Sequence, residues 1–273
     1  AETDPQGNLL KEPGIDRVKW LTAELDPTDV MEDNTRKYVH FLWEPNDYVN
    51  VLLYRFTSGN ILGISTFPYT TASHPMEGTD VLPDMNITLT NLTYVRGVSI
   101  NSSFVGNVDD ALTPYAPESY KEIITKQVDD GITLAHELGH YLGLHHAFNE
   151  GDDPNADSDY CTDTKPYNRS IYQNTTMVEA YRAYMESKNM EDLLPGFLRV
   201  NSLDPDDVFT SYNLMDYEIS YADRFTPNQR ERMRHVLEYS PLIPGPKRTA
   251  STRSVAPQGV LDIPIIYKVC YKH

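Results

Sequence analysis

Residues 136–146 read H-E-L-G-H-Y-L-G-L-H-H and contain the pattern H-E-x-x-H-x-x-G-x-x-H without a mismatch. The spacing predicts a helix over the first half, because His136 and His140 then project from one face, one turn apart. Two imidazoles held in that way can share one metal ion. Glu137 follows the first histidine, so its carboxylate is placed beside the ion rather than on it. Motifs of this kind use that carboxylate as a general base. Gly143 stands where the helix should stop, since a residue without Cβ takes φ > 0 readily and swings the chain back. The swing carries His146 round as a third ligand. Three histidines leave a fourth tetrahedral position for water, which is the layout of a catalytic zinc site.

The short form H-E-x-x-H arises by accident in helices. From average residue usage, the full pattern is expected by chance in a chain of this length only about once in 10⁵. The remaining histidines, His40, His74, His145, His235 and His273, fit no ligand spacing and read as structural or solvated. His145 is one residue out of the pattern and is expected to point away.

The wider composition suits a globular enzyme. At 273 residues and 40% hydrophobic, the chain can bury a core in one domain with a small appendage. A net charge of −17 argues against nucleic-acid binding, which needs basic surface. No apolar run reaches the length that crosses a bilayer, so no transmembrane segment is expected. The chain begins at Ala1 and shows no signal sequence, and it reads as a trimmed mature form.

Along the chain, residues 1–36 are polar and punctuated by Asp and Pro, with one apolar stretch at 18–25. They read as an N-terminal extension or pro-segment remnant. They hold no cysteine to cap a metal, and an aspartate such as Asp4 or Asp16 is the remaining candidate for that role. Residues 38–43 and 48–56 are strand-like, rich in aromatic and β-branched side chains. Residues 117–126 begin a helical stretch that leads, past Asp129-Asp130-Gly131, toward the zinc motif. Residues 147–170 form an Asp-rich loop, and 177–190 have the spacing of an insertion helix. Residues 226–239 predict a helix with Thr226 as N-cap and Pro227 in its first turn. A tail over 243–273 carries a candidate strand at 263–269.

Beyond the zinc motif, 62–69 (L-G-I-S-T-F-P-Y), 96–106 (R-G-V-S-I-N-S-S-F-V-G), 159–166 (D-Y-C-T-D-T-K-P), 211–217 (S-Y-N-L-M-D-Y) and 224–233 (R-F-T-P-N-Q-R-E-R-M) are equally informative. With these motifs the chain resembles the pappalysin-type metzincins over about residues 38–242. More closely, it resembles a group of secreted, often lipid-anchored metalloproteases of Bacteroidetes. The resemblance implies an α+β fold: a metzincin-like zincin domain with a twisted mixed sheet, an active-site helix and a Met-turn. That domain is expected over 37–242, with an insertion at about 171–208, between the extension 1–36 and the tail 243–273. Met215 fits the Met-turn methionine, an apolar floor under the imidazoles. Tyr217, two residues later, fits a tyrosine that hydrogen-bonds the oxyanion.

The activity implied by this resemblance is that of a zinc-dependent endopeptidase on peptide or protein substrates, with Glu137 as general base and Tyr217 as oxyanion donor. Its substrate would pair as an added strand along a sheet edge, with 98–104 the candidate edge by resemblance. The runner-up is a catalytically inactive zinc-binding surface or adhesion module, although neither the ligands nor Glu137 is damaged. The family's cysteine after the Met-turn is missing. Either Cys161 pairs with Cys270 in a disulfide that ties back the tail, or both are free thiols. Asp152, Asp153, Asp157, Asp159 and Asp163 read as a solvated acidic loop, with a calcium site as the alternative. The expected location is secreted or exposed on the cell envelope, with lipid anchoring through a precursor cysteine outside this chain.

Overall fold

The computed structural model describes residues 1–105, 130–149, 159–218, 220–245, 247 and 258–271. Its centre is a four-stranded mixed sheet built from β1 (Val51–Tyr54), β2 (Ile61–Thr66), β5 (Val98–Asn101) and β8 (Tyr267–Tyr271), in the order β1-β5-β2-β8. β1 runs parallel to β5, while β2 is antiparallel to both β5 and β8. β2 is buried at every position, as expected for an I-L-G-I-S-T run inside a sheet covered on both faces, whereas β1 alternates between exposed and half-buried residues. Two smaller pairs stand apart: β3 (Tyr69–Thr71) beside β4 (Asp80–Leu82), and β6 (Leu198–Val200) beside β7 (Val208–Thr210).

Side-chain alternation along the strands divides the core into two layers. Ile64 of β2 faces a cluster with Val30 and Met31 of helix α1 (Pro27–Glu32), Tyr38, Phe56 and Leu92. Tyr267 and Val269 of β8 pack against the same cluster. On the other face, Val98 and Ile100 of β5 meet Leu134, Leu138 and Tyr141 of helix α2 (Asp130–Tyr141), together with Val236 of the last helix. In chain order between these two helices come two short ones, α3 (Arg169–Tyr172) and α4 (Val178–Ser187), joined by a wide turn over Gln173–Met177. The last helix, α5 (Pro227–Tyr239), starts as its sequence requires. Thr226 Oγ1 accepts from the Gln229 N–H at 3.2 Å, Gln229 Oε1 accepts from the Thr226 N–H at 2.9 Å, and Pro227 fills the first turn.

Several sequence expectations change here. The aromatic stretch 38–43 is not a strand but contains a short 3₁₀ turn, Val39–Phe41. Its rings gather around Trp20, 5.6 Å from Tyr38 and 5.2 Å from Phe41 between centroids, instead of alternating across a sheet. Trp20 thereby packs the N-terminal stretch onto the main core. Asp16 accepts from Trp43 Nε1 and Asp4 from Asn8, and neither belongs to a metal-binding group among the described residues. The candidate edge at 98–104 is also corrected, since its β5 portion is interior, flanked by β1 and β2, and the chain then turns at Ser102–Phe104.

The tail does form the expected strand, displaced toward the C-terminal side. No disulfide holds it, because Cys161 and Cys270 are not joined. Cys161 sits in the loop after the zinc motif, its N–H donating to Asp159, while Cys270 lies opposite Gly63 in β8. Backbone pairing with β2 secures the tail instead. The predicted helix at 117–126 and Asp152, Asp153 and Asp157 of the acidic loop fall outside the described residues.

Candidate metal centre

α2 carries the first half of the motif and ends as the sequence predicts. Gly143 adopts φ +88°, its N–H bonds the His140 carbonyl at 2.9 Å, and the Leu144 N–H bonds the Gly139 carbonyl at 2.9 Å. These two bonds make a Schellman cap, which satisfies the last carbonyls of the helix while reversing the chain. The reversal brings His146 back over His140, with 3.0 Å between their Nε2 atoms. His136, His140 and His146 are all buried, and one ligand atom from each lies within 4.8 Å of the others.

Backbone carbonyls orient two of the rings. His136 Nδ1 donates to the Leu214 carbonyl and His140 Nδ1 to the Leu144 carbonyl, each at 2.7 Å. A carbonyl can only accept, so Nδ1 carries the proton and Nε2 presents its lone pair to the cluster. Burial, reinforced by the neighbouring histidines, holds His140 and His146 well below the ordinary imidazole range. Neutral rings are what a cation requires. His145 points elsewhere, with Nε2 on the Gly78 carbonyl at 2.9 Å and its ring edge-on to Phe67.

Against the helix lies the turn at 213–216. Met215 is fully buried, with its sulfur so close to Gly139 that a side chain there would collide with it. The Met215 carbonyl accepts from the Ala147 N–H at 3.0 Å, tying the turn to the strand of chain that carries His146. Tyr217 packs at ring-centroid distances of 4.3 Å from His146 and 5.3 Å from His136, and its hydroxyl donates to the Val269 carbonyl of β8.

The motifs did not reveal several supporting residues. Phe148 stacks on His146 at 4.7 Å with 9° between the ring planes. The Arg169 guanidinium lies 4.8 Å over the Tyr217 ring and pairs with Glu218 at 2.7 Å. Asp216, between Met215 and Tyr217, accepts from the Tyr167 hydroxyl at 2.5 Å and faces Arg199 at 3.4 Å, with both charged side chains fully buried. An arginine inside L-R-V and an aspartate in M-D-Y were the available signals, but nothing in one sequence connects them.

Glu137 is not one of the three clustered residues. It is completely buried, neither carboxylate oxygen has a hydrogen-bond partner, and burial pushes it well above the usual carboxylate range. A buried carboxylate with both oxygens unpaired is costly unless a ligand completes it.

The donors fit zinc. Tetrahedral zinc with Zn–N bonds near 2.05 Å separates two ligand nitrogens by about 3.3 Å, close to the 3.0 Å between His140 and His146. Three neutral imidazoles oriented by carbonyls match a catalytic zinc set, and among the described residues this is the one such group.

Comparison with known proteins agrees. No curated protein matches the chain. Residues 84–238 match the family model Peptidase_M43, described as pregnancy-associated plasma protein-A. The match covers more than half of the 273 residues and spans the zinc motif and the turn beneath it. The chain therefore belongs to this metallopeptidase family, and its three histidines are the zinc-binding site expected of such an enzyme.

Proposed function

We propose that the protein is a zinc-dependent endopeptidase in which Glu137 is the general base. The observation that carries this reading is the Glu137 carboxylate, next in sequence to His136, completely buried and with both oxygens unpartnered. His136, His140 and His146 would hold the zinc, which would supply Lewis acidity and lower the pKa of water at the site. Glu137 would take the proton from a water attacking the carbonyl carbon and pass it to the departing amine. Its burial favours this exchange, because a carboxyl group kept out of bulk water holds a proton more readily than a solvated one. Tyr217 donates its hydroxyl to the developing oxyanion. Met215 excludes water below the rings, and the carbonyls of Leu214 and Leu144 hold two imidazoles in register.

A zinc-binding module without catalysis fits less well, because such a module has no use for an intact, desolvated Glu137. Replacing Glu137 by Ala tests the assignment. The variant is expected to bind zinc at wild-type stoichiometry and to lose about 10²–10⁴-fold in casein hydrolysis, the span of general acid–base catalysis. Unchanged turnover would remove Glu137 from the mechanism. Hydrolysis by the wild-type chain should also stop when zinc is chelated and return when it is restored.

A further inference from the structure

One way a protein holds an extended peptide is to add it as a strand to a free sheet edge. Beside the metal centre the relevant strand is β2, because Gly63 lies directly over Glu137: a Cβ there would sit 2.6 Å from Glu137 Cγ. One side of β2 is paired with β5, and the other with β8 of the same chain. The pairing is antiparallel and extends beyond the strand, with the Phe67 N–H on the Ile266 carbonyl at 2.8 Å.

β8 fills that edge in a defined register. Lys268 lies opposite Ser65 and Cys270 opposite Gly63, so both side chains face α2 and the metal centre. Cys270 is buried, and its partner Gly63 is the residue whose Cβ position lies against the Glu137 side chain. Between Lys268 and Cys270, Val269 turns its side chain to the opposite core and its carbonyl to the Tyr217 hydroxyl. One peptide bond thus has its carbonyl oxygen on the proposed oxyanion donor and its following residue beside the proposed proton carrier.

Resting on the peptidase reading above, we propose that residues 267–271 occupy the substrate cleft as a tethered self-substrate, excluding other peptides and presenting the Val269–Cys270 bond for hydrolysis. In that step the oxygen of water bonds to the Val269 carbonyl carbon and the bond to the Cys270 nitrogen breaks. Val269 becomes a carboxylate, and Cys270 leaves as a protonated amine. The cut removes the residues that follow Val269, so Cys270 and Tyr271 leave their places opposite Gly63 and Ile61 and that end of the β2 edge opens beside Glu137.

Two measurements test this. The first needs no metal and uses the full chain carrying Glu137→Ala, with a fluorescent peptide of sequence 265–273 as probe. Anisotropy should show weak binding, tightening at least tenfold when Val269→Pro or Cys270→Trp is added to dislodge β8. Zinc uptake at full stoichiometry by both variants serves as the control for folding. Equal affinity in all three proteins overturns the occupancy. The second follows the intact mass of the zinc-loaded wild-type chain, which should fall by residues 270–273 and stay whole with Glu137→Ala. A wild-type chain that remains intact, or is cut elsewhere within 265–273, overturns the register. Casein hydrolysis separates the two readings: a chain active on casein whose probe binding never tightens leaves the peptidase standing without the self-substrate.

Discussion

Gly63→Ala tests the geometry of the proposed base without touching a ligand. The added methyl would lie 2.6 Å from Glu137 Cγ, 2.7 Å from Oε1 and 2.9 Å from Cδ. Ordinary carbon–carbon contact is about 3.5–4.0 Å, so the two groups must separate by roughly 1 Å. All three atoms belong to the Glu137 side chain, so the carboxylate moves before the helix backbone does. Gly63 shows no positive φ, so alanine brings no backbone strain. A misplacement of about 1 Å in a reacting group can cost about 10²-fold in rate, or about 2.7 kcal/mol of transition-state stabilisation. Overpacking costs about 1–3 kcal/mol in stability, offset by about 0.5–1 kcal/mol from replacing a strand glycine. The expected variant is therefore folded, melts a few degrees lower, binds zinc fully and is about 100-fold slower. The assay is kcat/KM on a quenched-fluorescence peptide, alongside zinc content and a thermal melt. A rate within twofold of wild type would refute the claim that Glu137 must sit where the structure puts it.

The other perturbations address the ligands and the floor. His146→Ala should weaken zinc binding by more than the 10–100-fold typical of a lost outer-shell partner; equilibrium dialysis showing unchanged affinity would exclude His146 as a ligand. Met215→Ala opens a cavity at a fully buried site and should cost about 2–5 kcal/mol, read as a lower urea midpoint with similar slope. Arg199→Met strands the buried Asp216 carboxylate and should cost about 3–5 kcal/mol; adding Asp216→Asn should recover part of that loss, and a double-mutant cycle with no coupling would contradict the pairing.

How much of this was legible depended on whether a feature is local. His136, Glu137 and His140 could be placed because a helix fixes their spacing, and Gly143 because only a cap of positive φ returns His146 to them. The start of α5 was equally readable, since Thr226, Pro227 and Gln229 write a capping box within four residues. The interior position of β5 was missed, because strand order is a non-local property that 98–101 alone does not encode. The pairing of β2 with β8 joins segments about 200 residues apart and leaves no mark in either except β-rich composition. Counting two cysteines suggested a bridge, yet one lies after the motif and the other on the far edge strand, where a ladder already anchors the tail. Residues 38–43 misled in another way: an aromatic-rich hexamer has the composition of a strand even when its rings collect on one side of a turn.

The buried pair of Arg199 and Asp216 is unusual in a region that could have been closed with apolar side chains at less desolvation cost. Its position suggests what offsets that cost. Asp216 belongs to the turn whose Leu214 carbonyl orients His136, whose Met215 side chain lies under Gly139, and whose Met215 carbonyl binds the segment bearing His146. Hydrophobic packing alone would let such a turn slide by fractions of an ångström, because apolar contact is non-directional. A carboxylate gripped by the Tyr167 hydroxyl on one oxygen and facing a guanidinium on the other has far less freedom. Arg199 is itself fixed, donating to the Gly196 carbonyl at 2.9 Å and lying 4.2 Å over the Tyr172 ring. The segment after α4 thus reaches back to lock the turn, and through Leu214 it sets the angle of a zinc-facing imidazole. Loosening that lock should therefore broaden the metal site as well as lower the melting temperature, although Arg199 touches no ligand.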